Sequence, residues 1–503
     1  MKKCITYIKT ILILVVLLVS SACSSVINEK TSNSPSTYEY SLNFEKEDID
    51  DTYSNEKYVV LQGDEDLKIN ESGTYVLSGE LNGSIIVDVG DKQEIKLILD
   101  GLTINSKDFA SIYIISADKC TITLKDGSQN YLNDSDKYTL IDDNNVDAVI
   151  FSKADLVING SGTLNIDANY KHAIVSKDDL ILINGAYNIN SVGTAIIGKD
   201  SLKIKSGNFN INSDGDALKS DNSEDEGRGY IYIADGNINI DCDDDAIQAY
   251  NDLIIDDGII NITNCYEGLE ASYITINGGD IDIISSDDGI NATNKNEDSN
   301  NNSFMSSTNA TVKINGGNIY INAEGDGIDS NGDVYIYGGN IIVEGPLSGG
   351  DAAFDYETGA YINSGELLMI GQSSMAVGFN EDGSSECNLL YNLDKSYIAG
   401  TEIIIKNNSE AILSLTSSKQ FNSILFASEK INIGDTIEII IGDDSYEYTF
   451  ENVTNTNSEN HNIGMPNMDN MQMSDWPNMN DNKGNQFDFK DIDKDKNSNT
   501  DAE

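Results

Sequence analysis

The sequence is poor in positive charge, proline, histidine and tryptophan. Its 503 residues include 31 Lys and Arg against 84 Asp and Glu, so the formal net charge is −53. Binding of nucleic acid by bulk charge is thereby excluded, because phosphate backbones require surfaces rich in Lys and Arg. Only four Pro occur, which argues against a Pro-rich disordered linker protein. With only two His and no CxxC pair, the chain lacks a ligand set for zinc or redox chemistry.

One long apolar run occurs, and it stands near the N-terminus. Lys2, Lys3 and Lys9 provide positive charge, and the apolar run 11–19 ends shortly before Ser-Ala-Cys23. The run is shorter than the about twenty residues of a membrane span. The pattern resembles a bacterial lipoprotein signal, in which the Cys is lipidated. We therefore expect a lipid anchor at Cys23 and a location on the extracellular face of the bacterial cell membrane. A plain cleavable signal peptide is the alternative.

The middle of the chain is an internal repeat. A strand–turn–strand phrase such as Leu156–Ile166 alternates with a short phrase of one carboxylate, one small residue and Ile or Leu. The small residues Ala173, Ala195 and Ala217 are 22 residues apart. Each unit contains three strand-like segments of period two and cannot bury its apolar face alone, so the units must stack. The pattern predicts an all-β fold, a right-handed parallel β-helix with 22 residues per turn.

The beginning and the end of the repeat pattern define the expected domain boundaries. The segment before it is rich in Ser, Asn, Thr and Glu, the rhythm changes near Ser384, and the end of the chain is rich in Asn, Met, Asp and Lys without periodicity. We predict a signal peptide at 1–22, a tether at 23–57, the β-helix at 58–383, a small C-terminal β cap at 384–452 and a disordered tail at 453–503.

Stacking places the repeated acidic residues in columns. A first column contains Asp216, Asp245, Glu267, Asp288 and Asp326, and a second contains Lys219, Gln248, Glu270, Asn291 and Asp329. Like charges about 4.8 Å apart repel by roughly 1 kcal/mol in water and by 3 or more at a protein-like dielectric, so such a column needs neutralisation.

Oxygen ligands without His or Cys favour a hard cation, and flexible carboxylates suit Ca²⁺ better than Mg²⁺. The predicted calcium ligands are Asp216, Asp245, Glu267, Glu270, Asp288, Asn291, Asp326 and Asp329, with Asp351 as an extension. The alternative is that Asp, Asn and Gly here are ordinary turn residues.

Two features together resemble a bacterial family of secreted carbohydrate-binding β-helix proteins. They are the stacked Asp-Gly-Ile and Asp-Ala-Ile turns with Ile-Asn-Gly-Gly-Asn-Ile strand pairs, and the segment Lys419–Ser428 followed by Ile433-Gly-Asp-Thr. The resemblance implies a right-handed parallel β-helix, bound calcium and affinity for cellulose-like glucans or acidic pectic chains. It also implies a fold like that of calcium-dependent polysaccharide lyases. Because His172 and Thr194 replace acids in the first two units, the calcium column is expected to begin near Asp216.

Three functions remain open from the sequence. The first is a monomeric surface lipoprotein that binds polysaccharide and contacts the membrane only through its lipid. Sugar-stacking candidates are Tyr250, Tyr266 and Tyr273, and further Tyr320, Tyr335 and Tyr337. The second is a calcium-dependent lyase that cleaves uronans by β-elimination, for which Lys219 would be the base. The third is a structural adhesin. No catalytic residue is expected for the first or the third.

Overall fold

The structure, a computed structural model, describes residues 38–293 and 309–457. The predicted signal peptide, Cys23, the beginning of the tether and residues 458–503 of the predicted tail lie outside these residues. All described residues belong to one compact unit. Among them, no helix is long and apolar enough to cross a bilayer.

Nearly all regular structure in the described residues is β-strand. A single turn of helix, α1 (Lys46–Ile49), precedes the first strand. The N-terminal strands are β1 (Lys57–Gly63), β2 (Leu67–Ile69), β3 (Gly73–Leu81), β4 (Ile85–Asp88), β5 (Glu94–Asn105), β6 (Ile112–Ser116), β7 (Lys119–Leu124) and β8 (Gln129–Asn133).

The repeats provide short strands of three to six residues. They are β9 (Ala148–Ser152), β10 (Asp155–Gly160), β11 (Thr163–Ala168), β12 (His172–Ser176), β13 (Asp179–Leu182), β14 (Ala186–Ser191), β15 (Ile196–Gly198), β16 (Ser201–Ile204), β17 (Asn208–Ser213), β18 (Leu218–Ser220), β19 (Tyr230–Ile233), β20 (Asn237–Cys242), β21 (Ile247–Ala249), β22 (Asp252–Ile255), β23 (Ile259–Asn264), β24 (Leu269–Ala271), β25 (Tyr273–Ile276), β26 (Asp280–Ser285), β27 (Ile290–Ala292), β28 (Thr311–Ile314), β29 (Asn318–Ala323), β30 (Ile328–Ser330), β31 (Asp333–Ile336), β32 (Asn340–Glu344), β33 (Gly359–Ile362) and β34 (Glu366–Gly371).

These strands form three parallel ladders. The first ladder is β7-β10-β13-β16-β19-β22-β25-β28-β31-β33, the second is β8-β11-β14-β17-β20-β23-β26-β29-β32-β34, and the third is β2-β4-β6-β9-β12-β15-β18-β21-β24-β27-β30. Within the repeats a strand pairs with the strand three positions later, as when Leu180 lies opposite Leu156 and Leu202 opposite Leu180. The constant repeat length fixes this register, because equivalent side chains must share a face.

Alternation along each strand separates core from surface. In β17 the exposed and buried positions alternate strictly, with Phe209 and Ile211 buried in a core that runs through all the repeats. The all-β prediction with large parallel sheets is confirmed. The larger sheet is mixed, since one C-terminal strand joins it in antiparallel orientation. Winding into a right-handed β-helix remains a prediction.

The last strands are longer and mainly antiparallel. They are β35 (Asn388–Tyr397), β36 (Glu402–Asn407), β37 (Glu410–Thr416), β38 (Phe421–Ala427), β39 (Thr436–Ile441), β40 (Asp444–Thr449) and β41 (Thr454–Thr456). Strand β38 pairs antiparallel with β34 and β35, and β37-β36-β39-β40 form a separate sheet. This sheet packs around its own apolar core, which includes Ile403, Ile439 and Phe450.

Residues 38–50, within the segment expected to be a tether, pack along the repeats. The Tyr40 hydroxyl donates to Asp252 Oδ2 at 2.6 Å, and the Phe44 ring stacks on Tyr232 at 5.8 Å. The carboxylate of Asp48 is buried and lies 2.7 Å from Lys119 Nζ. The described part of this segment is therefore a strap that covers the outer side of the first ladder.

Candidate functional site

The third ladder aligns the polar residues of successive repeats. Lys219 lies opposite Gln248, Gln248 opposite Glu270, Glu270 opposite Asn291 and Asn291 opposite Asp329. Their apolar neighbours in the strands point into the core, so these five side chains point outward by alternation. The acids of the first column precede these strands by one or two residues.

Carboxylates of these columns meet in three groups. Within each group, oxygen atoms of all three side chains lie within 4.8 Å of one another. The first group is Asp216, Asp244 and Asp245; the second is Asp245, Glu267 and Glu270; the third is Asp288, Asp326 and Asp329. Seven of the eight predicted calcium ligands thus belong to a group. The eighth, Asn291, donates through Nδ2 to both carboxylate oxygens of Glu267 at 3.1 and 3.2 Å.

Each of the first two groups contains two buried carboxylates, whereas Asp244 is exposed and Glu267 is partly buried, and the hydrogen bonding of the buried carboxylates is incomplete. Asp216, Asp245 and Glu270 are only 2%, 6% and 7% exposed. Oδ1 of Asp216 and Oδ1 of Asp245 have no hydrogen-bond partner, and neither has the carbonyl oxygen of Asn291. An unsatisfied buried polar atom is costly, and a charged one more so. These buried oxygens therefore remain available as acceptors.

Burial and mutual repulsion disfavour ionisation of the second group. Burial, followed by the charges of Glu270, Glu267 and Asp216, raises the pKa of Asp245 to about 8. Burial and the charge of Glu270 raise the pKa of Glu267 to about 7. The side-chain amide of Gln248 bridges Asp245 and Glu270, at 2.5 Å from Glu270 Oε2, and adds no charge. Without a cation, the group has to hold protons or sustain repulsion.

The carboxylates of the third group are less deeply buried, and their pKa values are raised as well. Burial is the main cause that raises the pKa of Asp288 to about 6, of Asp326 to about 7 and of Asp329 to about 8. The backbone N–H of Asp326 donates to Asp288 Oδ1 at 2.7 Å. Phe354 pairs with Ile328, which brings Asp355 beside Asp329, where its charge also raises the pKa of Asp329.

Asp355 is a member of this stack that the sequence analysis missed. The expected extension was Asp351, whose carboxylate instead accepts from Ser348 Oγ at 2.7 Å. The step from Asp329 to Asp355 is 26 residues, longer than the repeat, so spacing alone did not reveal it. Only the parallel pairing of Phe354 with Ile328 of β30 shows that Asp355 belongs to the stack.

Lys219 lies next to the first group. Its Nζ is 2.6 Å from Asp216 Oδ2, which also accepts from Thr194 Oγ1 at 3.1 Å. Burial alone lowers the pKa of Lys219, but the charge of Asp216 and the hydrogen bond to it outweigh burial and raise the pKa. The lysine is therefore a protonated partner of Asp216 at neutral pH.

The donors of the stack fit a hard divalent cation. Each group supplies carboxylate oxygens only, with amide oxygens nearby and no nitrogen or sulfur ligand. Ca²⁺ binds six to eight oxygens of this kind at flexible geometry, whereas Mg²⁺ demands a tighter octahedron and retains water. The side chains that would hold such an ion are those of the second and third groups.

The three predicted sugar-stacking tyrosines occupy three different positions of the repeat. Tyr250 follows β21, Tyr266 precedes the acid of the first column, and Tyr273 opens β25. Tyr266 is exposed, and its hydroxyl bonds to Asp287. Because their positions differ, they do not form one column along the repeats.

Two of the further candidates, Tyr335 and Tyr337, form a continuous platform together with Tyr361. Tyr335 lies opposite Tyr361 in the first ladder, and their rings stack at 5.2 Å with 19° between planes. Tyr337 continues the stack at 6.2 Å with 3° between planes, and it is 45% exposed. Lys313 Nζ lies 5.8 Å from the centre of the Tyr337 ring. Sequence spacing did not indicate Tyr361, because it follows Tyr335 by 26 residues.

Beside this platform runs a trough with a volume of about 560 Å³. Its floor is made by Gly-Gly turns between the first and second ladders. The second glycine of each turn has positive φ, +98° at Gly279 and +101° at Gly317, and thus requires glycine. The preceding Gly278 and Gly338 do not have positive φ, but a Cβ there would lie 2.8 Å from the carbonyl oxygen of Asp256 or of Asn315, so close packing of the turns requires glycine at these positions too.

A carbohydrate-binding domain family model matches residues 63–300 and 272–411, which together are most of the chain. The chain belongs to this family. Another member, a carbohydrate-binding domain-containing protein of Acetivibrio thermocellus, is 39% identical over 129 residues. That match covers 25% of this chain and 45% of the relative, so the chain spans less than half of the relative's length.

A solved structure also shows local similarity. It is the gadolinium derivative of a polysaccharide lyase-like protein from C. thermocellum, 33% identical, and the match covers 43% of this chain and 84% of that chain. The TM-score is 0.38, which does not establish a shared fold.

Proposed function

We propose that this protein is a surface lipoprotein that binds polysaccharide and holds calcium in the stacked turns of a right-handed parallel β-helix. Membership of the carbohydrate-binding family supports the polysaccharide part. The three ladders, in which most strands of the repeats pair with the strand three positions later, support the winding. The lipid anchor at Cys23 rests on the sequence alone.

One observation carries the calcium part of the proposal. Carboxylates of successive repeats converge with their oxygens within 4.8 Å, and buried oxygens such as Asp245 Oδ1 have no partner. A divalent cation would neutralise the repulsion and satisfy these oxygens at once. Because Asp245 and Glu270 are buried, an ion in the second group would be structural. The third group is more accessible, and an ion there would retain positions for water or a sugar oxygen.

The tyrosine platform and the adjoining trough are the proposed glycan face. Sugar rings stack on aromatic faces, and amide and carboxylate groups bond to their hydroxyls. Asn318 and Asn340 line the trough together with Asp280 and Glu366. Since the trough bears acids, it favours a neutral, cellulose-like glucan over a polyuronate, unless calcium screens the charge.

A lyase is not favoured by the geometry around Lys219. A base for β-elimination must be unprotonated near neutral pH, whereas the ion pair with Asp216 keeps Lys219 charged. The chain's single Arg, Arg228, pairs with Asp179 at 3.0 Å and is likewise engaged. Neither cation is placed to hold a uronate.

The test is calorimetric titration of the full chain with cello-oligosaccharides and with polygalacturonate, in calcium and in chelator. Replacing Tyr337 by Ala should weaken glucan binding about tenfold, because an aromatic stacking contact contributes about 0.5–1.5 kcal/mol beyond buried area. The matched control is Tyr58→Ala, which removes a tyrosine that is 72% exposed on β1.

Equal losses in both variants would remove the platform as the glycan face. Ultraviolet absorbance from unsaturated uronate products would instead establish a lyase. Absence of heat with every glycan would overturn polysaccharide binding and leave the structural adhesin.

A further inference from the structure

Two of the four cysteines in the described residues occupy equivalent positions in consecutive repeats. Strand β20 pairs with β23, and at the end of this pairing Asp241 lies opposite Asn264, so the next residues, Cys242 and Cys265, are neighbours. Both side chains are buried in the apolar core. Neighbouring strands of a sheet lie about 4.8 Å apart. This spacing falls within the Cα separation of roughly 4.4–6.8 Å that a disulfide allows.

Local hydrogen bonding does not account for sulfur at these two positions. Ser213 lies opposite Cys242 on the preceding repeat. The Ser213 hydroxyl and the Cys242 thiol each donate to the carbonyl oxygen two residues later, at 2.9 and 3.2 Å. The Cys265 thiol donates to the carbonyl oxygen of Ile284 at 3.5 Å. Because a thiol is a weaker donor than a hydroxyl, serine would meet the local requirement better, and two successive cysteines indicate a joint role.

The repeats that carry these cysteines also share the second acidic group. Asp245 follows Cys242 by three residues, and Glu267 follows Cys265 by two. Oxygen atoms of Asp245 and Glu267 lie within 4.8 Å of each other. When both side chains are ionised, their repulsion pushes the two turns apart. A covalent bond between the segments that lead into these turns would oppose that separation.

We propose that Cys242 and Cys265 form a disulfide that cross-links the two repeats of the second group. Both are thiols in this structure. Burial, followed by the neighbouring Cys265, raises the pKa of the Cys242 thiol, and burial likewise raises the pKa of Cys265. Because the thiolate is the reactive form, the folded protein should oxidise slowly. The bond therefore forms during folding, before the repeats enclose the two sulfur atoms.

The oxidant in this step is another disulfide, either a small molecule or an oxidised protein dithiol. The thiolate of one cysteine attacks the oxidant, forms a mixed disulfide and expels a thiol. The thiolate of the second cysteine then attacks the mixed disulfide and expels the other thiol. The two cysteines thereby lose two protons and two electrons, and the oxidant is reduced to two thiols. The predicted location on the cell surface is one in which such a bond persists.

The experiment is peptide mass spectrometry of the full chain, refolded from denaturant with oxidised glutathione and then alkylated in denaturant without reductant. The expected product is one linked pair of peptides that contain Cys242 and Cys265, with Cys120 and Cys387 alkylated. Reduction before alkylation should abolish the linked pair. Alkylation of Cys242 and Cys265, or a link from either of them to another cysteine, would overturn the proposal.

Serine variants supply the matched controls. Cys242→Ser copies the residue found at Ser213, and it should leave Cys265 alkylated. Cys387→Ser, which replaces a buried cysteine outside the repeats, should retain the linked pair. Loss of the pair in Cys387→Ser would show that the two sulfur atoms are not aligned by the repeats alone and would overturn the proposal.

Melting curves in chelator keep the test decisive if a serine variant folds poorly, since they need only the wild type. The oxidised wild type should melt above the reduced wild type, because the cross-link holds the two repeats together and restricts the unfolded chain. Equal melting, or lower melting of the oxidised form, would overturn the cross-linking role. Neither readout depends on calcium or glycan binding, so the proposed function stands or fails separately.

Discussion

Replacing Asp245 by Asn should change stability in opposite directions with and without calcium. Asp245 belongs to both the first and the second group, and it is 6% exposed with Oδ1 unpartnered. Burial and the nearby carboxylates raise its pKa to about 8. Without metal, its charge therefore opposes folding; with metal, the same charge is a ligand.

The magnitude follows from the spacing of the carboxylates. Unit charges 4.8 Å apart repel by about 3 kcal/mol at an effective dielectric constant of about 20. The substitution to Asn removes up to one such repulsion, in proportion to the ionised fraction of Asp245, which rises as the pH passes about 8, while keeping the shape. With an unfolding entropy of about 2.1 cal/mol/K per residue over about 400 described residues, this gain raises the melting temperature by up to about 4 °C.

The sign of the pH dependence gives an independent check. The pKa of Asp245 in the folded state, about 8, exceeds its ordinary value of 3.8, so the folded state binds the proton more tightly than the unfolded chain. In chelator, the contribution of Asp245 protonation to stability is fully present below about pH 4 and is lost as the pH rises through about 8. The Asn variant should lack this contribution and show a flatter profile.

The assay is differential scanning calorimetry from acid to about pH 8, in chelator and in calcium. In calcium the Asn variant should melt below the wild type, because one carboxylate ligand is gone. Asp243→Asn is the control, since it removes the same charge from an exposed turn outside the groups. If Asp245→Asn melts lower than the wild type in chelator at high pH, the electrostatic reasoning is wrong.

Two further substitutions test how the repeats pack. Gly289→Ala should lower the unfolding free energy by about 1–3 kcal/mol in chemical denaturation, because its Cβ would overlap Ile321 Cγ2 and lie 2.6 Å from Gly327 O. Gly350→Ala is the control: there is open space at its Cβ, so the same assay should show no change. Asn210→Ala should cost about 1–2 kcal/mol, because it removes bonds to Asn188 at 3.0 Å and to Asn239 at 3.2 Å. An equal loss of unfolding free energy in Asn70→Ala, which removes an exposed Asn, would show that the hydrogen bonds between stacked Asn side chains make no specific contribution to stability.

Much of the third ladder could be predicted because its repeat length is nearly constant. A fixed spacing determines register, and register determines which side chains meet. Thus Glu270 lies opposite both Gln248 and Asn291, as the two-column arrangement requires. The two columns could therefore be predicted without knowing the conformation of the loops between the strands.

Other features depended on information that spacing does not contain. Asp355 and Tyr361 follow a step of 26 residues, and only the backbone pairing aligns them with Asp329 and Tyr335. The amide ladder through Asn210 was hidden because Asn is abundant throughout the chain. The strap at 38–50 alternates apolar and polar residues, with Tyr38, Tyr40, Leu42 and Phe44 packed on the repeats, but alternation alone does not show which surface a segment covers.

A stacked fold repeats its charges together with its strands, so every added unit brings a carboxylate within about 4.8 Å of the previous one. This chain limits the resulting repulsion in three ways along one ladder. Thr194 replaces an acid by a neutral hydroxyl, and Lys219 supplies an internal cation. The repeats that follow retain carboxylates with unpartnered oxygens, which only protons or a bound cation can neutralise. The second column therefore sets the local charge of each unit, from the ammonium of Lys219 to the carboxylate of Asp329.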